Sequence, residues 1–120
     1  MDVVMKGRGE RVTGQARARL ERKLQHLSKL DGRLDRVEVE VTRESRGRIG
    51  GGHRAEAWGR SGRRTYRAHA SGEDVAAALE LMLDRLERQI TEAHRRRRAR
   101  AVAAKRRAPA ESRAPIPAPE

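Results

Sequence analysis

The order of apolar patterns along the chain predicts an α+β fold, β-α-β-β-β-α, a four-stranded sheet with two helices packed on one face. Three observations carry this. Two long segments place apolar residues at steps of three and four, one run alternates valine with polar residues, and two more β-prone segments flank a Ser-Gly-Arg turn.

The elements follow in order. Asp2 to Lys6 is a short β-prone segment, followed by the loop Gly7 to Arg11. Thr13 then caps a helix over Gly14 to Leu30, in which Ala16, Leu20, Leu24 and Leu27 share one face and Arg19, Arg22, His26 and Lys29 lie along the other. Asp31 and Gly32 end it with turn chemistry. From Arg33 to Arg43, Val37, Val39 and Val41 alternate with Glu38, Glu40 and Thr42, a strand with one buried face. A glycine and arginine loop over Ser45 to Gly52 precedes two strands, His53 to Arg60 and Arg64 to Ala70, joined by a tight turn at Ser61, Gly62 and Arg63. The second helix spans Ser71 to Arg98. Ser71 is its expected cap, Glu73 and Asp74 occupy its first turn, and Val75, Leu79, Met82, Leu83, Leu86, Ile90 and Ala93 form its apolar stripe. Arg85, Arg88 and Arg95 fall opposite that stripe.

Composition bounds the rest. The chain has 120 residues and a net charge of +12, which points to an acidic partner. From Arg95 onward nine Lys or Arg stand against two Glu, while residues 1–94 carry twenty against fifteen. Residues 1–97 are therefore expected to form one α+β domain, and 98–120 a disordered, basic, Pro- and Ala-rich tail. With one Trp, one Tyr and no Phe, the core must be aliphatic. The absence of cysteine excludes disulfides and thiolate chemistry, and no segment approaches the roughly 20 apolar residues of a membrane span. A cytoplasmic protein is expected.

Catalysis finds little support. The four histidines, at 26, 53, 69 and 94, have no metal-ligand spacing, although His53 and His69 would approach each other if the hairpin paired them. The Gly50-Gly51-Gly52 run lacks the lysine and the following helix of a phosphate-binding loop. Glu38 and Glu40 alternate with valines as ordinary surface charges do. The chain is expected not to be an enzyme, and to need neither cofactor nor metal. Trp58 has the parity of Arg54 and Glu56, which places it on the open sheet face or at the sheet edge.

The basic helix faces remain. Arg85 and Arg88 are either a solvated surface partnered by Asp84 and Glu92 or, joined with the cations of the first helix, a phosphate-binding field. Neither helix shows leucine or aromatic anchors outside its expected core face, which disfavours a membrane.

The runs Glu73-Asp74-Val75-Ala76-Ala77-Ala78-Leu79 and Asp84-Arg85-Leu86-Glu87-Arg88-Gln89-Ile90 resemble the second-helix signature of the ribosome hibernation-promoting and ribosome-associated inhibitor family. Lys6-Gly7-Arg8, Val12-Thr13 and Lys23-Leu24 with Leu27 are similar to its first strand, loop and first helix, so the likeness covers about residues 2 to 96. The resemblance implies a short-form, non-enzymatic inhibitor that binds the small ribosomal subunit at the decoding centre, blocks the messenger and tRNA sites and promotes hibernation. Its partners would be small-subunit rRNA and the whole ribosome, with no membrane and no small-molecule substrate, and the protein would be a monomer off the ribosome. The family's basic positions carry over to Lys23, Lys29, Arg85, Arg88 and Arg96. Together with the helix-face residues, the expected rRNA contacts are Arg19, Arg22, Lys23, His26, Lys29, Arg85, Arg88, Arg95 and Arg96. The family's tyrosine is Ala76 here, and two of its lysines are His26 and Glu92. A double-stranded RNA-binding domain or a protein-interaction module regulating transcription are the alternatives.

Overall fold

The structure, a computed structural model, describes residues 1–9, 11–44 and 52–113, with side chains as far as Arg106. The elements are β1 (Asp2–Arg8), α1 (Gly14–Leu30), β2 (Leu34–Arg43), β3 (His53–Ser61), β4 (Arg64–Gly72) and α2 (Val75–Arg113). This is the expected β-α-β-β-β-α order. The loop read at 45–52 lies, apart from Gly52, outside the described residues.

The sheet order is β1-β2-β3-β4. Strands β1 and β2 pair in parallel, with Val3 beside Val37 and Met5 beside Val39, so α1 is the crossover that a parallel pair requires. The other pairs are antiparallel. Ser61 pairs with Arg64 across a two-residue turn in which Gly62 takes a φ of +61°, a left-handed conformation that favours glycine.

One sheet face is closed. Val37, Val39, Val41, Ala55, Ala57, Tyr66, Ala68 and Ala70 are buried on it, as are Leu20, Leu24 and Leu27 of α1 and Leu79, Met82, Leu83, Leu86 and Ile90 of α2. Apart from Tyr66 and the small Ser61, strands β3 and β4 contribute alanine and glycine to this face, so over them most of the core volume comes from the leucines, Met82 and Ile90 of the helices. A chain without phenylalanine fills its core this way. The other face carries Glu38, Glu40, Glu56, Trp58, Arg67 and His69, all at least partly exposed.

Thr13 caps α1 as expected, its Oγ1 accepting from the Ala16 N–H at 3.1 Å. The start of α2 differs from the sequence reading. Ser71 and Gly72 remain in β4, paired with Arg54 and His53, and the cap is Asp74, whose Oδ1 accepts from the Ala77 N–H at 2.7 Å. The strand thus turns directly into the helix, and Gly72 makes the close turn possible. A Cβ there would lie 2.6 Å from the Ala78 backbone nitrogen. At its other end α2 continues past Arg98, where the sequence reading ended it, through an Ala-, Arg- and Lys-rich stretch of strong helix formers. The chain divides into two compact units, Met1–Ile90 and Thr91–Glu120.

Candidate nucleic-acid interface

Within the first unit the two helices lie side by side, and their polar faces meet over a groove of about 700 Å³. Leu20, Leu79 and Leu83 contribute its apolar lining, and Arg22 and His26 line it as well. Its charges are not all basic. Arg19 of α1 is paired with Glu80 of α2, and Lys23 Nζ lies 2.6 Å from Glu87 Oε1. His26 Nε2 is 4.0 Å from the same oxygen. The hydrogen bond from Lys23 holds the Glu87 carboxyl below its usual range, against the opposing effect of burial, with the Lys23 and His26 charges adding to the lowering.

The nine expected contact residues therefore fall into distinct environments. Arg22, Lys29 and Arg88 are exposed and have no acidic partner among the described residues. Arg19, Lys23 and His26 face carboxylates across the helix pair. Arg85 donates from Nη1 to the carbonyl oxygen of His69 at 2.7 Å, which anchors its guanidinium to the outer edge of β4. Gln89, one turn on, accepts from the Arg67 N–H at 3.1 Å and donates to the Arg67 carbonyl. Arg95 and Arg96 belong to the second unit, where Arg96 Nη2 lies 3.4 Å from Glu92 Oε2.

Glu80, Glu87 and Gln89 were not foreseen as part of this surface. Glu92, an expected partner of the α2 arginines 85 and 88, pairs with Arg96 instead. The expectation that the helices carry no leucine outside the core face is corrected by Leu30 and Leu81, which are 40% and 41% exposed. They are scattered single residues, since the stripe that packs each helix uses other positions. No helix among the described residues is long and apolar enough to cross a membrane.

The open sheet face is an ion-pair lattice. Arg36 pairs with Glu38 at 2.9 Å, Arg8 with Glu40 at 3.6 Å, and Arg67 with Glu56 at 2.7 Å. Trp58 lies on this face, with the Arg67 guanidinium carbon 5.6 Å from its ring centroid. His53 and His69 do not approach as a pair. The register places Glu56 opposite His69 and Gly72 opposite His53. No group of three or more His, Asp or Glu close enough to hold a metal occurs among the described residues.

Residues 3–98 match the family model described as sigma 54 modulation protein / S30EA ribosomal protein. The chain belongs to this family. The resemblance to the hibernation-promoting proteins, read from the second helix, is thereby borne out. Two solved structures share the fold. A ribosomal subunit interface protein from Coxiella burnetii superposes with a TM-score of 0.68 at 18% identity, covering 78% of this chain and 98% of that one. The N-terminal domain of Protein Y from Thermus thermophilus gives 0.65 at 23% identity, covering 77% and 98%. Among curated proteins no sequence matches.

Glu87 gives a direct expectation for this surface. Because its folded-state carboxyl is held low, the ion pair with Lys23 is present above the ordinary carboxylate range and disappears as pH falls through the folded value. Glu87→Gln removes the competing charge at neutral pH and frees Lys23 for phosphate. Affinity for an RNA ligand should rise severalfold, and the slope of log affinity against log salt should steepen by up to about one contact, about 0.7–0.9. A filter-binding salt series reads both.

Proposed function

We propose that this protein is a ribosome-associated translation inhibitor without enzymatic activity, acting in the cytoplasm and promoting hibernation of idle ribosomes. The family match over residues 3–98 carries the reading. The protein binds small-subunit rRNA near the decoding centre and occupies the messenger and tRNA sites, so that it inhibits by steric exclusion and requires neither cofactor nor small-molecule substrate. It is a monomer off the ribosome.

The chemistry of the helix pair supports this. Arg22, Lys29 and Arg88 are cations ready for phosphate, and Lys23 and Arg19 are exchangeable ones whose carboxylate partners an rRNA phosphate would displace. Arg85, with its remaining donors, and His26 flank them, and Arg95 and Arg96 extend the basic sequence into the second unit. Phosphate neutralisation of this kind supplies affinity with a steep salt dependence and little base reading. A double-stranded RNA module would place lysines at the start of its last helix, where this chain has Glu73 and the capping Asp74.

Sedimentation of the protein with small subunits or whole ribosomes is expected at low salt, with release as salt rises. Chemical footprints should cluster at the decoding centre of the small-subunit rRNA. Protein confined to the free fraction at low salt would overturn the proposal, and protection spread evenly over duplex rRNA would overturn the decoding-centre assignment.

A further inference from the structure

The second unit has a charge pattern unlike that of the helix pair. Successive residues of an α-helix point about 100° apart, so Arg95, Arg96, Arg97 and Arg98 send guanidinium groups to four different sides of α2. Arg100, Lys105 and Arg106 continue the run. Arg97 is half-buried and the other six are exposed. Only Arg96 has a carboxylate partner, Glu92, among the described residues.

A helix that rests on one side of a polyanion needs cations on one face, at steps of three and four, as Arg85 and Arg88 are placed. Here cations cover the circumference. Against a one-sided partner, those pointing away would gain nothing, and the like-charge neighbours Arg95 with Arg98 and Arg96 with Arg100 would repel along the helix. Phosphates on several sides neutralise all of them. The apolar positions between are alanines and one exposed valine, Val102, which is 44% exposed. That is too little apolar surface for a helix seated in a membrane interface.

We propose that residues 95–106 form a cationic rod that the phosphate backbone of rRNA encloses on opposite sides, within a backbone-lined channel or a widened groove. The inference rests on the ribosomal reading above and adds to it a second, separately testable contact.

The test uses the full chain and purified small ribosomal subunits across a salt series. Arg98 and Arg100, both exposed and outside the nine expected contacts, point to nearly opposite sides of the helix. Enclosure predicts that R98Q and R100Q each lower the slope of log affinity against log salt by about 0.7–0.9, one phosphate contact apiece, with unchanged circular dichroism. If the slope falls for one variant and holds for the other, docking is one-sided and enclosure is overturned. If it holds for both, the rod makes no contact and the inference falls while the ribosomal reading stands. Failure of the unsubstituted chain to bind subunits at any salt overturns both. Binding to phosphatidylserine vesicles that matches subunit binding in strength and is lost in the double variant would assign the rod to a membrane and overturn the proposal.

Discussion

Asp31→Ala is expected to destabilise the first unit by about 3 kcal/mol. Asp31 is 1% exposed, at the junction between α1 and β2. Its Oδ2 accepts from Ser61 Oγ at 2.7 Å and from the Tyr66 hydroxyl at 3.1 Å, and its Oδ1 accepts from the Arg33 N–H at 3.0 Å. Its own N–H closes α1 on the Leu27 carbonyl. Burial and the bond to Asp31 both push the Tyr66 hydroxyl pKa up, as for a phenol held in its donating form beside a carboxylate. Alanine would strand two buried hydroxyls without an acceptor, and hydrogen bonds to charged groups contribute about 1.5–3 kcal/mol each. At about 4–8 °C per kcal/mol for a domain of this size, Tm should fall by 12 °C or more. Tyr66→Phe, which removes one donor and leaves the carboxylate its other partners, should cost about 1 kcal/mol. Thermal unfolding followed by circular dichroism decides the matter, and a fall of only a few degrees for Asp31→Ala would show that water replaces these hydrogen bonds.

The largest functional effect is expected from reversing the three unpartnered cations together. Arg22→Glu, Lys29→Glu and Arg88→Glu remove exposed charges with no structural partner among the described residues, so the fold should be unchanged. Allowing about 1 kcal/mol for each phosphate interaction removed, affinity for small subunits should fall by about 100-fold or more, and the salt dependence should flatten. The charge-matched control sets Arg88→Glu alone against Arg60→Glu, two charges apiece, since Arg60 pairs with Asp35 at 3.1 Å on β2 and is not among the expected contacts. Equal losses in these two single variants would mean that net charge, rather than the helix surface, governs binding.

The parts of the fold that were legible in the sequence are those fixed locally. The alternation of Val37, Val39 and Val41 and the three-and-four spacing of Leu20, Leu24 and Leu27 each encode a buried face within a few residues of chain. Thr13 likewise caps the helix beside it. The start of α2 is not legible in the local sequence, because a non-local contact decides it. Ser71 has the chemistry of a cap, but pairing with Arg54 keeps it in the strand, and Asp74 takes the role. Asp31 looked like a turn residue because its partners, Ser61 and Tyr66, stand thirty and thirty-five positions away.

The candidate surface divides in the same way. That the cations lie on the outer helix faces follows from periodicity. Which of them are free does not, because the pairing of Arg19 with Glu80 and of Lys23 with Glu87 depends on how the leucines of one helix set its register against the other. Composition alone would have counted these lysine and arginine charges at full strength. Among the described residues the helix pair instead presents three free cations, Arg22, Lys29 and Arg88, while Arg85 is anchored to a backbone carbonyl and Arg19 and Lys23 must be won from a carboxylate.

Arg85 and Gln89 have a consequence beyond the binding surface. Strand β4 ends the sheet, and its outward-facing backbone groups would otherwise form a template for a strand from another molecule. Side chains of α2 occupy the Arg67 N–H, the Arg67 carbonyl and the His69 carbonyl along that border. The helix thereby occupies part of the margin it packs beside, which disfavours addition of a foreign strand to β4.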